Sequence, residues 1–168
     1  MKYQIHILSD WHIGSGLSSG AESDANVLKD SDNLPYIPGK TIKGLFKAAL
    51  MEMPKSVVDE NAITRIFESS STFFSNATLP LKEKEEAKCF NDFLYREIAS
   101  TSIGENGIAL NHSLRTMEVC MPLVLEGEIT GYCEKTDRPF LEKAAKWIRS
   151  VGVNRNRGMG RCKFQITN

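Results

Sequence analysis

The sequence predicts an α+β domain of the ferredoxin-like, RNA-recognition-motif-like class, a split βαβ sandwich with inserted loops. Three observations predict it. Strands stand at both ends: Tyr3, Ile5 and Ile7 alternate with polar Gln4 and His6, and Cys162 to Ile166 forms a last strand. Helices lie between them, the clearest with Ile42, Leu45, Phe46 and Ala49 at i, i+3, i+4 and i+7. A further strand pair is expected inside, from Val119 to Tyr132. A length of 168 residues predicts one domain, and no internal repeat divides it.

Taken in order, Trp11-His12-Ile13 extends the first strand until Gly14-Ser15-Gly16 breaks it. Gly14, Gly16 and Gly20 are spaced G-x-G-x-x-x-G, and no βαβ unit follows, so they read as a glycine-rich loop rather than a dinucleotide fingerprint. Residues 17–33 show no period and carry Asp24, Asp30 and Asp32; a loop of that length tends to be functional or disordered. Pro35 and Pro38 keep Leu34 to Pro38 extended. A helix then runs from about Thr41 to Met53, where Pro54 stops it, and a second from about Val57 to Ser69. The stripe Ala87, Phe90, Leu94, Ile98 predicts a helix from Glu83 to Ile98. Gly127 and Gly131 predict strand–turn–strand within 119–132, with Pro122 on an edge or bulge. Asp137 is the expected cap of a helix that Phe140, Leu141, Ala144, Ala145 and Ile148 bury and that ends near Gly152.

Composition excludes several function classes. Apolar and charged contents of 41% and 25% are those of a globular protein, and no apolar run approaches a membrane span. Cys89, Cys120, Cys133 and Cys162 make no C-x-x-C pair, and the N-terminal residues do not read as a signal peptide, so a cytoplasmic protein with reduced thiols is expected. No Ser–His–Asp order or Cys–His pair supports covalent catalysis. Gly39-Lys40-Thr41 looks like the end of a P-loop, but Leu34 stands where its first glycine belongs, and the two prolines stiffen a loop that must curl.

What remains is anion binding. The net charge is zero, yet after Glu142 there is no acidic residue, while Lys143, Lys146, Arg149, Arg155, Arg157, Arg161 and Lys163 follow. Arg155 and Arg157 point the same way if their loop is extended, and Gly158 and Gly160 let a backbone approach a ligand. Lys40, Lys43 and Lys47 form a basic face on the first long helix, whose start offers N–H groups to a phosphate. If the last strand pairs with the first, these elements and the Gly14–Gly16 turn come together. That predicts nucleic acid or a nucleotide as ligand.

His12-Ile13-Gly14-Ser15-Gly16, then Leu34-Pro35-Tyr36-Ile37-Pro38-Gly39 leading into Ile42-Lys43-Gly44, then Arg157-Gly158-Met159-Gly160-Arg161, together resemble the RAMP superfamily of CRISPR-associated proteins. The likeness is strongest to the repeated backbone subunit of type III effector complexes, and residues 74–108 carry little of it. The resemblance implies an RNA-recognition-like core, copies stacked in a filament along the CRISPR RNA, and an RNA-facing set of His12, Lys40, Lys43, Lys47, Arg155, Arg157, Gly158, Gly160 and Arg161. It implies that Asp24, in Asp24-Ala25-Asn26-Val27-Leu28-Lys29-Asp30, cuts guide-paired target RNA with a divalent metal such as Mg²⁺ and no organic cofactor, Asp30 being the later acid of the pattern. It also implies a protruding hairpin at about residues 101–117 and other type III subunits as partners.

Two departures stand out: Asn26 replaces the usual proline, and Lys40-Thr41 the usual serine pair. They leave open a non-cleaving structural subunit or a CRISPR-RNA maturation endoribonuclease. Outside the family, a nucleotide-binding α+β domain would use the same basic loops.

Overall fold

In the computed structural model of the chain, residues 1–14, 16, 25–58, 60–68 and 71–167 are described. Strand β1 (Lys2–Ile7) sends Tyr3, Ile5 and Ile7 into the core and leaves Gln4 and His6 half-buried on the other face, as its alternation requires. Helix α1 (Gly39–Glu52) buries Ile42, Phe46, Ala49 and Leu50. Helix α2 (Glu60–Phe67) leads to the short strand β2 (Phe73–Phe74). Helix α3 (Leu81–Lys88), a 3₁₀ turn (Asn91–Leu94) and the strands β3 (Tyr95–Ser100) and β4 (Arg115–Cys120) come next. Strand β5 (Val124–Thr130), helix α4 (Arg138–Trp147) and strand β6 (Cys162–Thr167) complete the order.

The main sheet runs β2-β5-β1-β6, every pair antiparallel. This is the strand order of a split βαβ sandwich, with α3 and the β3–β4 hairpin inserted between its halves. As the sequence suggests, the last strand lies beside the first, Ile5 opposite Phe164. Tyr3, Phe46, Phe74 and Phe164 lock sheet to helices, Phe46 meeting Phe74 and Phe164 edge-on at 5.4 and 5.5 Å. No helix among the described residues is long and apolar enough to cross a membrane.

Four expectations change. The helix expected to Ile98 stops at Lys88, and Tyr95–Ser100 is strand. Helical spacing supplied a stripe that only part of the core meets: Ala87 and Leu94 pack partly against it, but α3 fully buries no residue and Phe90 is 62% exposed. A six-residue ladder with β4 takes the segment instead. Second, the turn between β4 and β5 falls at residues 121–123, around Pro122, not at Gly127. Gly127 lies inside β5, where a Cβ would come within 2.5 Å of the Tyr3 hydroxyl. Third, α4 ends at Trp147, short of Gly152. Fourth, Asp137 holds the cap position, but its carboxylate turns away from the helix. It accepts from the Cys133 N–H (2.8 Å) and from Arg65 Nε (2.7 Å).

Candidate nucleic-acid interface

The chain leaves β1 at Leu8 and crosses to the second sheet, where Trp11 and Cys120 exchange backbone hydrogen bonds of 3.0 and 2.8 Å. From there it enters the glycine turn. Asp24 and its neighbours 17–23 lie outside the described residues. The two stems of their loop are described, and one residue clamps both. Glu118 on β4 accepts the Val27 N–H (2.9 Å) and Lys29 Nζ (2.7 Å) with its carboxylate. Its N–H donates to the Ala25 carbonyl at 3.0 Å, and its carbonyl lies 2.7 Å from His12 Nδ1. These contacts join residues some ninety positions apart, which no sequence pattern announces.

His12 itself is 3% exposed. Its ring is spent on this clamp, and stacking on an RNA base is not open to it in this geometry. Asp30 is likewise occupied: its carboxylate accepts the N–H groups of Asp32 and Leu34 and faces Lys84 Nζ at 3.1 Å. Burial pushes that carboxyl up, but these donors outweigh it and hold it below the usual range. Among the described residues no group of three His, Cys, Asp or Glu side chains is placed to hold a metal ion.

Helix α1 presents two different flanks. Successive residues turn by about 100°, so Lys40, Lys43 and Lys47 share one flank while Leu45, Ala48 and Glu52 share the opposite one. On the lysine flank, Lys47 meets Glu68, just past the end of α2, at 3.6 Å. At the helix start, the Gly39 N–H is already taken by Asn76 Oδ1 (2.9 Å), and a Cβ on Gly39 would lie 2.0 Å from the Phe74 carbonyl oxygen. That start is packed against β2 rather than held open for a phosphate.

The other flank of α1 faces the arginine loop across a cleft. Arg155–Arg157 is a 3₁₀ turn, not an extended segment, bounded by Asn154 and Gly158 at φ 54° and 86°. At about 120° per residue, Arg155 and Arg157 diverge instead of pointing together. The loop is fixed to the glycine-turn stem: Val153 N–H donates to the His12 carbonyl (3.0 Å) and Gly160 N–H to the Asp10 carbonyl (2.7 Å). Gly160 is buried at φ 64°, and a Cβ there would lie 1.8 Å from the Val151 carbonyl oxygen. It lets protein approach protein; Gly158, with open space around it, is the one of the pair free to admit a ligand.

Two clefts open beside this loop. One, of about 860 Å³, lies between α1 and the end of α4, and Trp147, Arg149, Arg155 and Arg157 border it. The second, of about 740 Å³, follows β6, and Lys146, Arg149, Arg155, Arg161 and Lys163 line it with no acidic residue. None of these five cations forms an ion pair among the described residues. The structure thus joins the arginine loop to the glycine-turn stem, and sets Lys40, Lys43 and Lys47 on the far flank of α1. Sequence reasoning selected Arg155, Arg157 and Arg161 but not Lys146, Arg149 or Lys163 as site residues. Their signal was the acid-free run after Glu142.

The open sheet face offers a different surface. The outward residues of the two central strands, among them Gln4, His6, Glu126 and Glu128, include no Phe, Tyr or Trp. The His6 ring lies 3.1 Å from Gln165 Oε1, and the exposed aromatic of this face is Phe73 on the edge strand β2, so stacking on the central strands in the usual manner of RNA-recognition motifs is not supplied.

Comparison with known proteins agrees with this architecture. A chain of the cryo-EM structure of the Type III-B Cmr-beta bound to cognate target RNA superposes with a TM-score of 0.76 at 13% identity, covering 98% of this chain and 95% of that one. A chain of the Type III-B Cmr-beta apo-state structure gives 0.74 at 14% identity, with the same coverage. No curated protein sequence matches. The family model of the RAMP superfamily matches residues 4–163, and the chain belongs to that superfamily.

Proposed function

We propose that this chain is an RNA-binding subunit of a type III CRISPR ribonucleoprotein, and that it cleaves target RNA paired to the guide at Asp24. The observation that carries the RNA reading is the groove along β6, five cations without an acid. Guanidinium forks match phosphate oxygens, and a row of unpaired cations along an edge strand suits a ribose-phosphate backbone better than a single small anion. The family and the fold shared with chains of type III-B complexes favour the same ligand.

In this reading Arg149, Arg155, Arg161 and their neighbours hold the guide, and further copies of the chain and other type III subunits continue the particle. The β3–β4 hairpin, with Ile108 71% exposed near its tip and Leu114 69% exposed just before β4, reaches between guide and target. Glu118 holds the stems on which Asp24 is carried. There a carboxylate accepts or positions the proton of a ribose 2′-OH as its oxygen attacks the adjacent 3′-phosphate. The P–O5′ bond breaks, leaving a 2′,3′-cyclic phosphate and a 5′-oxygen that takes up a proton, a step that RNA geometry must favour because an ordinary carboxylate is a weak base. Lys40-Thr41 in place of the serine pair, and Asn26 in place of proline, favour a second reading, a subunit that binds without cutting.

The test is the assembled complex, with guide and neighbouring subunits, given matched end-labelled RNA and Mg²⁺. Regularly spaced cuts that vanish in Asp24→Ala, with binding intact, are the expected result. Cuts that persist in the variant would overturn the role of Asp24. Intact RNA bound by both proteins would leave the non-cleaving subunit.

A further inference from the structure

The cleft between α1 and α4 contains a feature that backbone binding does not use. Trp147, the last residue of α4, is 46% exposed although its side chain is among the largest apolar ones of the chain. Its Nε1–H donates to Glu52 Oε2 at 3.2 Å, and Glu52 is the last residue of α1. The ring is thus tethered by its polar edge across the ends of two helices. Ala48 and Ala49, both small, line the same cleft, and Arg149, Arg155 and Arg157 border it.

We propose that this cleft receives one unpaired nucleobase of a single-stranded RNA, stacked on the Trp147 indole. The inference rests on the RNA-binding reading above and adds where a base goes. Three properties support it. A volume of about 860 Å³ falls in the range of small-ligand sites. An exposed aromatic face beside arginines is the arrangement that binds single strands through stacking and phosphate contacts together. Arg149 and Arg155 border both clefts, so a backbone lying along β6 passes the mouth of this one with a base free to turn inward.

Fluorescence tests it directly. The chain has two tryptophans, and Trp11 is fully buried, so quenching on binding reports Trp147. The purified chain is titrated with oligouridylate and with an abasic ribose-phosphate oligomer of equal length. The expected result is quenching by oligouridylate alone, and affinity about tenfold above the abasic oligomer. Trp147→Leu should lose that preference without changing the salt dependence, and Trp147→Phe, which keeps a ring, should retain most of it. Equal affinity for the two oligomers, or saturation by oligouridylate without quenching, would overturn the base site and leave RNA binding standing. Binding of neither oligomer would overturn the RNA reading itself.

Discussion

The cations of this chain divide into two populations. Around the β3–β4 insertion and the loops that pack on it, most are paired. Lys29 meets Glu118 at 2.7 Å, Lys84 meets Asp30 at 3.1 Å, Lys88 reaches Asp32 and Glu85, and Arg96 meets Asp10. Arg65 and Arg138 are paired on the helical side, with Asp137 and with Glu134 and Glu142. Along β6 and the arginine loop, Lys146, Arg149, Arg155, Arg161 and Lys163 share one groove without a carboxylate. A formal net charge of zero is therefore an average over one region that satisfies itself and another that does not. Paired charges belong to the architecture. The unpaired row is the anion site of the proposed function, and the two should respond to opposite perturbations.

Asp137→Ala should give the largest effect on the paired side. The carboxylate is 3% exposed and accepts from Arg65, the Cys133 N–H and the Thr136 hydroxyl. Removing it leaves those donors uncompensated, a loss of about 3 kcal/mol measured by urea unfolding at pH 7. Burial raises this carboxyl, but the Cys133 N–H, Arg65 and Thr136 outweigh it and hold it below its ordinary value. A depressed carboxyl contributes stability that is present above the unfolded value, about 3.9, and lost as pH falls through the lower folded one. The variant should therefore lose less stability than the parent chain in that acid range, while its RNA affinity at pH 7 stays unchanged. A variant as stable as the parent would show that this pair is ornamental.

The converse is expected in the groove. Arg149→Ala with Arg161→Ala should leave stability within about 0.5 kcal/mol, since both side chains are exposed and unpaired. RNA affinity should fall on the order of tenfold at physiological salt, measured by filter binding. Equal affinity of variant and parent would separate the groove from the ligand.

Parts of this division were legible in the sequence. The i, i+3, i+4, i+7 face of Ile42, Leu45, Phe46 and Ala49 gave α1, and alternation around Tyr3, Ile5 and Ile7 gave β1, because each is a local period imposed by burial. The acid-free run after Glu142 announced the groove. Period alone placed Lys40, Lys43 and Lys47 on one helical face correctly, but a period does not say what that face meets, and the arginine loop shares a cleft with the opposite flank. Residues 89–98 read as helix because a helical stripe in an exposed insertion looks like one in a core, while the ladder with β4 that decides the matter comes from residues twenty positions on. The Glu118 clamp, with partners at His12, Ala25, Val27 and Lys29, is entirely long-range.

If the proposed function holds, the five unpaired cations contact phosphates together. Titrating the purified chain with a labelled single-stranded RNA over a series of salt concentrations tests it most directly. Five contacts predict that log K falls with log salt at a slope of about −3.5, and that Arg149→Ala with Arg161→Ala flattens it by about 1.4. A slope near zero, or one the double variant leaves unchanged, would contradict the claim.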